Sequence, residues 1–351
     1  MHPPTVGLEL ELLAPRGRTR ADLAHALGPT VRRGWHLDSE PSLVPGRPVF
    51  HNLTPAFDVF DADGDEVGRV MDDLTIQDDL DRAARPVPGW FRIVSDDLRL
   101  LRLARRTCDP DLPLETTLQG MRDLFEGTIT VAEGGLHRLA DPWGAPLAIA
   151  APLPGERERP AEVATARLRG DPTDALRHVV TTATALGFTV PVEAAVHVHL
   201  DAAGLEDAAT LHHLAGLVHG REDALRAMVR SNPRCRRLGP WSDKVKALLL
   251  DPDFAALPWP EARAKLAAAE VSKYVDLNLR NLVHPSPNKH TIEWRIFPGS
   301  LDLDELVAAA ALLRGLGQAA VERTPAPLDL ASWLDALPLD PAIRAWWRAR
   351  L

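Results

Sequence analysis

Three short segments each carry two or more polar groups spaced two residues apart: Gly7-Leu8-Glu9-Leu10-Glu11-Leu12, Val196-His197-Val198-His199-Leu200-Asp201 and Thr291-Ile292-Glu293-Trp294-Arg295-Ile296-Phe297. Successive side chains of a strand point to opposite faces, so residues i and i+2 share a face about 7 Å apart. Leucines then fill one face of the first segment while Glu9 and Glu11 project from the other. In the second, valines and a leucine oppose His197, His199 and Asp201. In the third, Ile292, Trp294 and Ile296 turn inward while Glu293 and Arg295 turn outward.

Taken singly, Glu9/Glu11 reads first as a solvated sheet face and Glu293/Arg295 as a surface ion pair of little energetic weight, while His197/His199 favours neither a structural nor a site role. Taken together, they read differently. If the three strands are neighbours, one face gathers Glu9, Glu11, Glu293 and Asp201 with two imidazoles and a guanidinium. Carboxylates so crowded repel and raise one another's pKa, and divalent cations would relieve this. Carboxylate oxygens with an imidazole suit Mg²⁺ or Mn²⁺, and two such ions about 3.5–4 Å apart would fit carboxylates spaced along a strand. The chain has no Gly-x-x-x-x-Gly-Lys-[Ser/Thr] loop, no Gly-x-Gly-x-x-Gly fingerprint and no Gly-x-Ser-x-Gly elbow. A bound nucleotide would therefore be held by metals and side chains. A zinc or manganese hydrolase centred on His197, His199 and Asp201 is the competing reading. It leaves the Glu-x-Glu and Glu-x-Arg segments unexplained.

The elements that must position these groups are legible in outline. Residues 5–13 alternate as a strand, and a helix with Leu23 and Leu27 on one face runs from about Thr19 to Gly28-Pro29. Residues 49–70 read as short strands with a hairpin at Asp61-Ala62-Asp63-Gly64. Residues 90–94 read as a strand, and 136–150 as a hairpin turning at Asp141-Pro142-Trp143-Gly144. Asp96-Asp97 follows a strand and reads as a site contributor or a solvated turn. Strands are expected at 161–166, 193–200 and 289–297, helices at 173–186, within 205–229 and at 303–321, and two short helices after that. Strands that come as hairpins or are separated by long helices favour an α+β fold with a mainly antiparallel sheet over a regular βαβ alternation. We read residues 1–351 as one catalytic domain, with 44–160 as a β-hairpin-rich insertion that shapes a substrate pocket.

Composition bounds the function. The net charge of −9 argues against general nucleic-acid binding. Five lysines stand among 40 basic residues. Cys108 and Cys235 are too few and too far apart for a disulfide framework or a cysteine zinc motif. No apolar run approaches the ~20 residues of a membrane span, and the first residues do not read as a signal peptide. A cytoplasmic protein is expected. Oligomeric state is not legible.

Gly-x-Glu-x-Glu near the start, His-Val-His-x-Asp in the middle and Thr-Ile-Glu-x-Arg-Ile-x-Pro-Gly at 291–299 resemble the amidoligase family of the carboxylate–amine ligase superfamily. That superfamily includes glutamine synthetase and glutamate–cysteine ligase. The resemblance spans about residues 6–314 and implies a glutamine-synthetase-like catalytic domain: a curved, mainly antiparallel sheet with helices packed on one face. It implies metal ligands at Glu9, Glu11, Glu162, His197 and Glu293, with His199 facing the ATP phosphates and Arg295 the phosphate being transferred. Arg236 and Arg237 resemble a basic phosphate- or substrate-binding segment, and Lys273 and Asn278 stand where the family has polar site residues. Two departures stand out. Val163-Ala164-Thr165-Ala166 follows Glu162 where a Ser-Pro is common, and Ala194-Ala195 precedes the His-x-His strand where a glycine is common.

The resemblance implies ATP with Mg²⁺ or Mn²⁺ as cofactors, and a small-molecule or peptide carboxylate and an amine as substrates. The carboxylate would attack the γ-phosphorus, and an amine would displace phosphate from the acyl-phosphate, with Arg295, Arg237 and Glu293 in catalytic roles. A non-catalytic protein that binds a nucleotide or amino acid on a ligase scaffold is a third reading.

Overall fold

The structure, a computed structural model, describes residues 4–38, 51–235, 238–286, 289–327 and 329–351. Arg236 and Arg237 lie outside the described residues, as do residues 44–50 at the start of the hairpin-rich segment.

In chain order, β1 (Val6–Leu13) is followed by α1 (Arg20–Leu27), β2 (Thr30–Asp38), β3 (His51–Phe60), β4 (Glu66–Met71) and β5 (Phe91–Ser95). Helices α2 (Leu98–Thr107) and α3 (Gln119–Phe125) precede β6 (Thr128–Ala132), β7 (Leu136–Ala140), β8 (Pro146–Pro152) and β9 (Pro160–Thr165). Then come α4 (Thr173–Ala185), β10 (Ala195–Asp201), α5 (Ala208–Val218), α6 (Glu222–Val229), α7 (Asp243–Leu250), α8 (Pro252–Ala255) and α9 (Trp259–Ala268). β11 (Leu277–Asn278), α10 (Arg280–Val283) and β12 (Thr291–Pro298) lead to α11 (Leu303–Glu322), α12 (Leu330–Ala336) and α13 (Pro341–Arg348). Helices mixed with extensive antiparallel pairing make the fold α+β. Among the described residues no helix is long and apolar enough to cross a membrane.

The chain divides into two compact units. The first takes the residues up to Glu11, Ala164–Thr184 and everything from Val190 onward. Its sheet runs β11–β12–β10–β1, with every pair antiparallel. The three motif segments are therefore adjacent strands. Their apolar face holds Leu8, Leu10, Val198, Leu200, Ile292 and Trp294, all nearly inaccessible to solvent. Helix α11 packs on β10. It is Ala-rich on its buried side, and Asp302 caps its start by accepting from the Asp304 and Glu305 amides. A Cβ at Gly317 would stand 2.3 Å from Leu200 Cδ2. Glycine there lets the helix approach the strand that carries both histidines. Along β12, Trp294 and Phe297 meet edge to face with centroids 5.5 Å apart.

The second unit takes Leu12–Val163 and Ala185–Thr189. Its strands run β9–β4–β3–β5–β8–β7–β6, with β2 also on β3. β3 is long enough to serve three partners. Asn52–Phe60 pairs with β2, His51–Leu53 with β5, and Phe57–Phe60 with β4. The β3–β4 hairpin turns at Asp61, whose carboxylate accepts from the amides of Asp63 and Asp65. Asp141 does the same for Trp143 and Ala145 between β7 and β8. α2 and α3 cover one face, burying Leu101, Ala104, Cys108 and Met121 against Trp35, Phe91 and Ile93. A second buried feature is ionic. Asp72 lies 2.5 Å from Arg157 and 3.7 Å from the fully buried Arg20, whose guanidinium also stacks 4.6 Å over Trp90.

Candidate active site

The antiparallel register puts the polar residues of the first unit on one face. Gly7 opposes His199 and Glu9 opposes His197 across β1–β10. His199 in turn opposes Glu293 across β10–β12, and Glu293 opposes Asn278 on β11. The β10–β12 pairing shifts by one residue between Val196 and Val198. Such a bulge re-aims side chains locally. It lies where Arg295 Nη1 comes within 3.4 Å of His197 Nδ1.

Each carboxylate is held by named partners. Glu11 accepts from the Ala195 amide at 2.7 Å and lies 3.5 Å from His197 Nε2. Glu293 takes a 2.7 Å hydrogen bond from Asn278 Nδ2 on one oxygen and pairs with Arg295 through the other. Glu9 Oε2 is 3.2 Å from His197 Nδ1, while its Oε1 lies 3.2 Å from His199 Nε2 and 3.3 Å from Lys289 Nζ. Glu11, His197, His199, Asn278 and Glu293 are all buried. Buried ions are tolerated only when paired and hydrogen-bonded, and this set meets that condition with three carboxylates against Arg295, Lys289 and the imidazoles.

The electrostatics follow. Burial pushes the Glu9 carboxyl up, but the charges of His199 and Lys289, with a hydrogen bond to His197, pull it well below the ordinary carboxylate value. Glu293 is likewise lowered against its burial by His199, Arg295 and His197. Burial alone would lower His199. The Glu9 and Glu293 charges outweigh it and leave His199 raised. Arg295 is raised, with Glu293 overcoming its desolvation.

Ligand atoms of Glu9, His199 and Glu293 lie within 4.8 Å of one another. His199 Nε2 is buried and makes no aligned hydrogen bond, although Glu9 Oε1 is at ion-pair distance. An imidazole nitrogen so placed beside two carboxylates fits a divalent cation once its proton is expelled, and oxygen-rich donors with one imidazole suit Mg²⁺ or Mn²⁺.

Of the residues singled out in the sequence, the first unit brings together Glu9, Glu11, His197, His199, Glu293, Arg295 and Asn278. Asn278 does so by holding Glu293 rather than by standing apart as a polar lining residue. Glu162 is half-buried on β9 in the second unit. Lys273 lies beyond α9, with its ammonium 5.1 Å from the Tyr274 ring centre. Asp97 caps α2 by accepting from the Arg99 amide. Asp201 accepts from the Thr5 hydroxyl and the Ala203 amide. Sequence reasoning missed two participants. Lys289 reaches Glu9, and Thr291 Oγ1 lies 3.1 Å from His199 Nδ1. A signal was available: Lys289, Thr291, Glu293 and Arg295 share one period-two series.

The family model described as "Putative amidoligase enzyme" matches residues 2–316. The chain belongs to this amidoligase family. None of the curated proteins matches it. The family match takes in all three motif strands of the amidoligase and ends within α11, ahead of α12 and α13. The amidoligase's α13 still supports the site strand from behind: Trp347 is buried, its ring 6.4 Å from Phe297, and its indole donates to the Ala308 carbonyl.

Proposed function

We propose that this amidoligase is an ATP-dependent carboxylate–amine ligase that forms an amide or isopeptide bond through an acyl-phosphate. The observation that carries the reading is the convergence of Glu9, His199 and Glu293 within 4.8 Å, on a sheet face shared with Arg295. Hydrolysis centred on His197, His199 and Asp201 is less well supported, because the ligand atoms that gather with His199 are those of Glu9 and Glu293.

In this reading Glu9, Glu11, His197, His199 and Glu293 of the first unit would hold Mg²⁺ or Mn²⁺. Divalent cations, when bound, would withdraw charge from the β- and γ-phosphates of ATP. Asn278 fixes one oxygen of Glu293 and so sets where its other oxygen points. Arg295 stabilises the charge that develops on the transferred phosphoryl oxygens. The substrate carboxylate attacks the γ-phosphorus in line and ADP leaves. The amine then attacks the acyl carbon, the C–O bond to phosphate breaks, and phosphate departs with the electron pair. No protein nucleophile takes part. A glutamine-synthetase-like curvature of the sheet and a cytoplasmic setting belong to the same reading.

The test is release of ADP and phosphate from ATP and Mg²⁺ with mixed pools of carboxylates and amines, alongside calorimetric titration of Mg²⁺–ATP. Turnover that depends on both substrates is expected. Absence of both turnover and nucleotide binding would overturn the ligase, and hydrolysis without ATP would favour the alternative.

A further inference from the structure

The polar face continues past the carboxylate cluster. One rung beyond Gly7, His199 and Glu293, Asp201 opposes Thr291 across β10–β12, and Thr5 donates its hydroxyl to Asp201 at 3.4 Å. Here the first unit has a cavity of about 140 Å³. Gly7, Arg167, His199, Asp201, Lys289 and Thr291 line it. Gly7 puts no side chain into it: a Cβ there would stand 3.9 Å from Thr165 and 4.0 Å from the Ala166 carbonyl oxygen, both residues of the same lining. Glu9 and His199 belong both to this cavity and to the cluster. A ligand in the cavity therefore sits directly against the candidate metal ligands.

The lining carries both signs of charge. Asp201, with the hydroxyls of Thr5 and Thr291, offers acceptors suited to an ammonium. Arg167 and Lys289 offer donors suited to a carboxylate, and a guanidinium can grip one bidentately. A simple amine would make no use of the Arg167 guanidinium, and a dicarboxylate would face Asp201. The volume is well below the ~300–1,000 Å³ of pockets for drug-sized ligands.

We propose that this cavity binds a free α-amino acid as the amine substrate, its ammonium on Asp201 and its carboxylate on Arg167. The inference rests on the ligase reading for the fate of the amine, while the binding site itself stands on the cavity and its charges. Lys289, which now bonds Glu9, links the amino-acid pocket to the cluster.

The experiment is calorimetric titration of the protein, saturated with Mg²⁺ and a non-hydrolysable ATP analogue, with each of the twenty common L-amino acids. The N-acetyl and decarboxylated forms of any binder follow. At least one amino acid is expected to bind, with a tenfold or greater loss for both modified forms. Asp201→Asn and Arg167→Ala should each weaken it tenfold or more and leave analogue affinity unchanged. Analogue binding with no amino acid bound, or a decarboxylated amine bound as tightly as its parent, would overturn the proposal. Amino-acid binding without analogue binding would uphold the pocket and overturn the ligase. Loss of both would overturn both.

Discussion

Glu9 lies directly across the β1–β10 ladder from His197, yet its second oxygen stands 3.2 Å from His199, one rung further along. The residue paired with His199 on β1 is Gly7. One carboxylate thus engages both imidazoles.

Glu9→Gln and Glu293→Gln each keep the shape of the side chain and remove a charge from the three-donor group. ATP turnover should fall by about 100-fold or more, the scale of losing a preorganised electrostatic contact, with the circular dichroism spectrum unchanged. Wild-type turnover in either variant would remove that residue from the metal site.

Asn278 touches the cluster only through Glu293, so its role is positioning. Asn278→Ala should weaken Mg²⁺ binding by about 10–100-fold, as loss of a partner behind a metal ligand does. The dependence of turnover on Mg²⁺ concentration reads this out: activity should recover at high Mg²⁺. A loss that excess Mg²⁺ does not restore would point to a different role.

The pH dependence has a definite sign. His199 is raised in the folded protein, so its contribution is complete below the ordinary histidine value of about 6.5 and is lost as pH rises through the raised folded value. Glu9 and Glu293 are lowered. Their contribution is present above the ordinary value of about 4.3 and is lost as pH falls through the lowered folded values. The metal-free cluster is therefore most stabilising between roughly pH 4.3 and 6.5. A divalent cation needs the neutral imidazole and must expel its proton. The rise in melting temperature on adding Mg²⁺ should grow from about pH 6 to about pH 8, with proton release seen as a buffer-dependent binding enthalpy. An increment that is constant across that range, with no proton release, would contradict the assignment of His199.

Gly299 closes the third motif for a packing reason. A Cβ there would stand 2.6 Å from Val190 Cγ1, 2.8 Å from Ala194 Cβ and 3.1 Å from the Ala194 carbonyl carbon, while the Gly299 amide donates to the Ala194 carbonyl. Gly299→Ala should destabilise the protein by about 1–3 kcal/mol, the usual range for overpacking, measured by urea unfolding. Unchanged stability would mean that the segment before β10 yields freely.

By itself the sequence determined that Glu9 and Glu11, His197 and His199, and Glu293 and Arg295 each share a face, because strand periodicity is local and apolar residues fill the alternate positions. It also specified the two Asp-led hairpin turns, where a carboxylate caps its own backbone. It did not reveal β2, whose Arg32-Arg33-Gly34 run breaks the alternation and which exists as a strand because the long β3 pairs with it throughout. Nor did it distinguish Asn278 from Lys273. Both are polar residues in loop-like surroundings, and only the two-residue pairing of β11 with β12 puts Asn278 against Glu293. The order of strands, the bulge beside Arg295, the reach of Lys289 to Glu9 and the cavity over Gly7 depend on which strands become neighbours and in what register. Those are long-range pairings, selected by burying the apolar face under α11, and no local pattern encodes them.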